Sequence, residues 1–202
     1  MAINMNKVTL DKNTPSVSLT KRGETQGAMR VNLNWTQSAP SRGFFKRNTA
    51  VDLDLAAMYE LADGSKGVVQ ALGNSFGDLD RPPFIFLDGD DRSGGSVGGE
   101  NLHINLGDVN RFRRVLIFAY IYEGAPNWSA ANGVVTLMPT SGPQVEVRLD
   151  SADDQSISCA IAMLTNVNGE MQVQREVRYI RGAQRDVDAA YGFGMNWTAG
   201  RK

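Results

Sequence analysis

A single histidine and a single cysteine are all that this 202-residue chain offers as soft metal ligands or familiar catalytic partners. One cysteine excludes an internal disulfide and a thiolate metal cage. Cys159 lies in the apolar run ISCAIAML and reads as a buried structural thiol rather than a nucleophile. His103, in NLHIN, has no serine or cysteine motif with which to complete a nucleophilic triad, and reads as an ordinary strand histidine. A Walker loop is also missing, since the glycines of DRSGGSVGG lack the lysine that phosphate cradling requires. Nowhere is there an apolar span long enough to cross a bilayer, and MAINMNKVTL has no signal-peptide core. The expectation is therefore a cytoplasmic protein without direct membrane insertion. Strong charge of either sign is absent too: the net charge is -1 and the pI about 5.9. That balance argues against nucleic-acid binding, which rests on a basic surface. The short basic patch RGFFKR, Arg42 to Arg47, reads as a surface loop rather than a membrane anchor.

What the chain does have is acid gathered around glycine. Between Phe84 and Leu106 it reads FIFLDGDDRSGGSVGGENLHINL. An apolar β run delivers it into Asp88, Asp90 and Asp91, then into Gly94, Gly95, Gly98 and Gly99, then into Glu100 and Asn101. Carboxylates so close repel one another unless solvent separates them or a cation neutralises them, and glycines let backbone carbonyls turn inward to complete an oxygen cage. A hard divalent cation, calcium first, suits such a loop, and a solvated acidic turn is the competing reading. Upstream, the period of two in Val51-Asp52-Leu53-Asp54-Leu55 puts Asp52 and Asp54 on one strand face. Two carboxylates there want a counter-charge. If the two acidic sets adjoin, Asp52, Asp54, Asp88, Asp90, Asp91, Glu100 and Asn101 form one pool of candidate metal ligands.

The rest of the chain is a series of short strand patterns. Residues Val8 to Thr20 predict one or two edge strands, and Met29 to Trp35 alternates cleanly with Met29, Val31, Leu33 and Trp35 facing the core. After the Asp52 strand, Ala62 to Gly67 is a hairpin turn followed by a strand from Val68 to Leu72. Arg113 to Glu123, RRVLIFAYIYE, is the most hydrophobic stretch and predicts a central strand covered on both faces. Further strands are expected at Val134 to Met138, Val145 to Leu149, Ile157 to Asn166 and Met171 to Ile180, with a tight turn at Asn168-Gly169. Ala183 to Tyr191 alone reads as helix, and Phe193 to Trp197 reads as a last strand. Trp128, in the loop EGAPNWSAANG, is either an aromatic anchor for a partner or a cap on one end of the fold. Many short strands with almost no helix predict an all-β, two-sheet β-sandwich with few, short helices, built as one domain over residues 1–202.

In order, VDLDLAAMYEL, FIFLDGDDRSGGSVGGENL, RRVLIFAYIYEGAPNW, ISCAIAMLTNVNG, REVRYI and AYGFGMNW resemble the bacterial tellurium-resistance and stress-response family typified by TerD, closest to its TerA-like branch. The resemblance covers about Val17 to Trp197. It implies a β-sandwich that binds calcium through acidic loops at one end. The family's Asp-Leu-Asp strand falls on Asp52 and Asp54, and its Gly-Asp-Asn-Leu motif on Gly99, Glu100, Asn101 and Leu102. Two departures stand out. Ala50 replaces a further family aspartate, and the chain runs from Leu102 straight into HINLGD where TerD has a second acidic loop. One calcium site of moderate affinity, or none that is filled at resting cytoplasmic calcium, is expected rather than two tight ones. The family further implies a non-enzymatic component acting through other proteins of the tellurium-resistance system, some of them membrane-associated. The alternative from another class is a metal-dependent small-ligand or nucleotide-binding sensor or enzyme using the acidic loop.

Overall fold

Met29, Val31 and Leu33 alternate with Arg30, Asn32 and Asn34, and a strand turns such alternation into two chemically different faces. In the computed structural model, which describes residues 8–9, 16–19, 26–36, 51–89 and 98–198, those three apolar side chains are wholly buried. The strands, in chain order, are β1 (Val8–Thr9), β2 (Ser16–Ser18), β3 (Ala28–Asn34), β4 (Asp52–Leu61), β5 (Lys66–Val69), β6 (Gly77–Asp78) and β7 (Ile85–Leu87). They continue with β8 (Glu100–Asn105), β9 (Phe112–Glu123), β10 (Gly133–Met138), β11 (Val145–Leu149), β12 (Ser158–Val167) and β13 (Glu170–Ile180). One sheet has seven strands in the order β1-β11-β10-β3-β8-β7-β6, and the other six in the order β2-β13-β12-β9-β4-β5. All pairings are antiparallel except β1 with β11. The result is the expected β-sandwich.

Inner-facing residues of both sheets, among them Val31, Leu33, Leu102 and Ile104 on one side and Leu53, Leu55, Val115 and Ile117 on the other, make one core. Strand β9 sits between β12 and β4 and buries every residue from Val115 to Tyr120. Two faces are covered because the six-stranded sheet also carries apolar groups outward. Ala56, Met58, Leu116, Phe118 and Tyr120 form a second cluster with Val187 and Phe193. Over it lies helix α2 (Gln184–Tyr191) and the segment after it. Asn168 and Gly169 both have positive φ, 54° and 86°, as a two-residue hairpin turn that follows sheet twist requires.

The structure corrects two local expectations. Phe193 to Trp197 is no strand but an irregular strap lying on the sheet's outer face. It is tied to the end of α2: the buried Asp188 carboxylate accepts from Gly194 N at 2.7 Å, Met195 N at 2.9 Å and Trp197 Nε1 at 2.6 Å. These bonds, and the left-handed Gly192 with φ of 63° that ends α2, turn the chain away from any strand ladder. Second, the EGAPNW loop holds one turn of helix, α1 (Trp128–Ala131), capped by Asn127, whose side chain accepts from Ala130 N at 2.9 Å. Trp128 is fully buried and donates from Nε1 to the Ser156 carbonyl at 2.8 Å. It therefore plugs one part of the sandwich. Cys159 is buried as expected, and burial pushes its thiol pKa up. The RGFFKR patch and Ala50 lie outside the described residues.

Candidate functional site

Strand β4 is paired with β9 along its length, but β5 pairs with it only from Ala57 to Glu60. Its first half, from Asp52 to Ala56, thus has an edge that no strand of the same sheet pairs with among the described residues. A backbone N–H at a buried edge needs an acceptor from elsewhere. Glu100 supplies it from the opposite sheet, with Oε2 accepting from Leu55 N at 2.6 Å. The approach depends on Gly99. Its φ is 65°, and a Cβ there would run into the Leu33 carbonyl oxygen, so only glycine lets the loop press against β3 and deliver Glu100 inward. Asn32 holds the same exit, donating from Nδ2 to the Gly98 carbonyl and, at 3.3 Å, to that of Glu100.

On the outer face of the six-stranded sheet, Asp54 stands opposite Tyr120 in register, and Asp52 stands opposite Glu123. Asp52, Asp54 and Glu100 are all buried, at 2 %, 0 % and 1 % exposure. The Tyr120 hydroxyl reports how close two of them come. Burial, then the neighbouring Asp54 carboxylate, then the charge of Glu100, push its pKa well above the ordinary phenol value, with the Gln184 side chain nearby offsetting part of this; the hydroxyl makes no hydrogen bond of good geometry among the described residues. Acid from each sheet therefore bears on one phenol, under the first turn of α2. This is a buried, all-oxygen environment with a carboxamide beside it.

The other predicted ligands fall elsewhere. Because side chains alternate along a strand, Asn101 points to the outer face of the seven-stranded sheet, where its Oδ1 accepts from Asn32 Nδ2 at 3.0 Å. Asp88 lies on that face too, with Oδ2 3.7 Å from His103 Nε2. His103 is thus a strand histidine beside an acid. Asp90 and Asp91 lie outside the described residues. Among the described residues, no group of three or more His, Cys, Asp or Glu side chains is disposed to hold a metal ion.

A hard cation is the group that the oxygen donors suit. Asp54 and Glu100, with the Tyr120 hydroxyl and Gln184 amide, are oxygen donors of the kind a calcium shell uses. Six to eight oxygens complete one, so further donors would have to come from beyond these four. Tyr120 and Gln184 were invisible to sequence reasoning as site residues. The only signal for Tyr120 was its place in the central strand, which becomes informative once β4 is known to lie beside β9 in this register.

Comparison with known proteins adds three likenesses. The chain is 45% identical over 204 aligned residues to the tellurium resistance protein TerA of an Alcaligenes species, covering 99% of this chain and 60% of the relative. It thus spans about 60% of the length of the curated relative that it matches. A crystal structure of SAV2460, a protein of unknown function, superposes with a TM-score of 0.61 at 18% identity, covering 86% of this chain and 100% of the other. SCO6318 of Streptomyces coelicolor A3(2), a homologue of the telluride resistance protein TerD, superposes with a TM-score of 0.54 at 19% identity over 81% of this chain and 95% of the other. At such identities the two structures speak for the sandwich alone. No family model matches the chain.

Proposed function

We propose that this chain, 45% identical to the tellurium resistance protein TerA, belongs to the TerA/TerD-like tellurium-resistance family and is a calcium-binding, non-enzymatic component of a tellurite-resistance and general stress-response system that works in the cytoplasm through protein partners. The observation that carries the calcium reading is the convergence of Asp54 and Glu100, buried and drawn from different sheets, on Tyr120. Buried like charges are costly until a counter-ion or a proton joins them. Calcium supplies double positive charge and accepts irregular oxygen geometry. Asp54 and Glu100 would hold the ion, Asp52 would add negative charge two residues along the same strand, and Asp90 and Asp91, outside the described residues, are the acids that the sequence of the glycine-rich loop adds to the same candidate pool.

Binding rather than turnover is favoured because the chain's obvious reactive groups stand apart from this cluster. The Cys159 thiol is buried with its pKa raised, and His103 faces outward on the other sheet beside Asp88. Among the described residues no helix is long and apolar enough to cross a membrane. Calorimetric titration of chelator-stripped protein with calcium and with magnesium, beside elemental analysis of the protein as purified, tests the reading. One calcium site with weaker magnesium binding is expected. Absence of calcium heat, or turnover of a phosphoester with magnesium or manganese, would replace it with the sensor or enzyme reading.

A further inference from the structure

Helix α2 begins directly over the carboxylate cluster. Gln184, its first residue, is only 7 % exposed although it opens a helix on the outside of the sheet. Val187 follows three residues later on the same helix face, and packs in one cluster with Ala56 of β4 and Tyr120 of β9. Ala56 lies two residues beyond Asp54 on the same side of its strand, and Tyr120 stands opposite Asp54 in register. The first turn of α2 is therefore set down on the side chains that flank Asp54, with the Gln184 carboxamide close to the Tyr120 hydroxyl.

The two ends of this helix are held differently. Beyond its C-terminal end, Arg114 donates to the Tyr191 and Gly192 carbonyls and Lys66 to the Phe193 carbonyl, while the Asp188 carboxylate accepts three donors from the strap. Those contacts tie the strap and the last turn to the sheet. At the N-terminal end, the Ser158 hydroxyl donates to the Gly182 carbonyl at 2.7 Å, and the cap is local, with Ala183 N donating to Asp186 Oδ2 at 3.0 Å. Gln184 is a polar side chain of that first turn that meets the cluster below it. A buried carboxamide needs polar partners, and beneath this one lie a phenol and acids.

On the strength of the calcium reading, we propose that Gln184 makes α2 the element that registers occupancy of the site: its carboxamide oxygen joins Asp54 and Glu100 around the ion, so the first turn of α2 is held down in the loaded protein and opens more readily in the stripped one. A side-chain carbonyl is an ordinary calcium donor, and a ligand that binds only the closed arrangement stabilises it against local opening. Gln184 and Arg185 also form part of the wall of a cleft of about 810 Å³ between β5 and the strap. A change at the buried acids is thereby carried to the protein surface.

Amide hydrogen exchange of the full chain, read residue by residue by NMR in chelator and in saturating calcium, tests this beside calorimetry of the same samples. The Asp186 and Val187 amides, which donate to the Ala183 carbonyl at 2.9 and 3.2 Å, exchange when the first turn opens. In calcium they should slow at least about tenfold, the size of one contact to a charged group. The Gly169 amide, which donates to Asn166 Oδ1 at 2.8 Å at the opposite end of β12 from Ser158, should not change. Gln184→Met keeps the length of the side chain and offers no oxygen; it should bind calcium more weakly and lose the slowing at α2 even at saturation. Amides of β12 establish that the variant is folded. Calcium heat with α2 exchange unchanged overturns this inference and leaves the calcium reading standing. Slowing that persists in Gln184→Met overturns it as well, and absence of calcium heat in the wild type removes both.

Discussion

Asp54→Asn should have opposite effects on the stripped and the calcium-loaded protein. The substitution keeps the shape of the side chain and removes one of the two charges that bear on the Tyr120 hydroxyl. Like charges brought together at a buried site repel by up to about 4 kcal/mol at an effective dielectric constant of about 20. Without calcium, then, the variant should melt no lower than the wild type and up to a few degrees higher. With calcium the order reverses. Binding to the folded state alone at a hundredfold excess over Kd adds about 2.7 kcal/mol, and in a domain of this size each kcal/mol moves Tm by about 2–4 °C. Wild-type protein should gain about 5–10 °C, while the variant, with one ligand and one charge fewer, should gain a small fraction of that. Scanning calorimetry of both proteins, stripped and loaded, reads all four values. A stripped variant that melts lower than the wild type and still shows the full calcium gain would mean that Asp54 is a structural acceptor and no ligand.

Three further outcomes follow from the packing. Trp128→Ala removes a fully buried indole and its bond to Ser156, so it should cost about 3–5 kcal/mol and lower the melting temperature by about 10 °C; unchanged melting with loss of a captured partner would instead make Trp128 an interaction anchor. Glu60 is buried, which alone would raise its pKa, but hydrogen bonds from Arg114 and Arg113 and the charges of Arg114 and Lys66 outweigh that and hold it below the ordinary 4.5. A depressed carboxyl stabilises the fold above its unfolded value and loses that contribution as pH falls through the folded one. Melting temperature should therefore drop below about pH 4.5, and Glu60→Gln should flatten that part of the curve; an identical acid limb in the variant would refute the assignment. Asp188→Ala frees Gly194, Met195 and Trp197 from their common acceptor, so amide exchange across the strap should quicken at least about tenfold while β12 keeps its protection. Uniform exchange in both proteins would show that the strap is held by its apolar contacts instead.

The sandwich was legible because its strands obey the period of two with little exception. Met29, Val31 and Leu33 face the core, Arg30 and Asn32 do not, and the long apolar run around Leu116 ends up central. Where the pattern failed, a local contact overrode it. Phe193 to Trp197 has the aromatic content of a strand, yet a carboxylate five to nine residues upstream captures its backbone and its indole, and Arg114 closes the other side by donating to the Tyr191 and Gly192 carbonyls at 2.9 and 3.1 Å. Nothing in AYGFGMNW itself shows that Asp188 will be buried within reach. The helical turn at Trp128 escaped notice for a similar reason, since four residues are too few to carry a period.

The candidate site was legible in its members and not in its grouping. Closeness in sequence made Asp88, Glu100 and Asn101 look like one set, but a single step along a strand reverses the direction of a side chain. Glu100 shares its parity with Leu102 and Ile104 and so enters the core side, whereas Asn101 shares the parity of His103 and meets Asn32 outside. The acid that Glu100 does approach, Asp54, is the residue before Leu55, whose N–H Glu100 accepts across a sequence separation of 45. That meeting requires β5 to stop pairing at Ala57, Gly99 to lie flush against Leu33, and β4 to run beside β9 in the register that sets Asp54 against Tyr120. Each condition is a consequence of sheet assembly, so parity can say which acids are able to turn inward, and only the paired sheets say which of those meet.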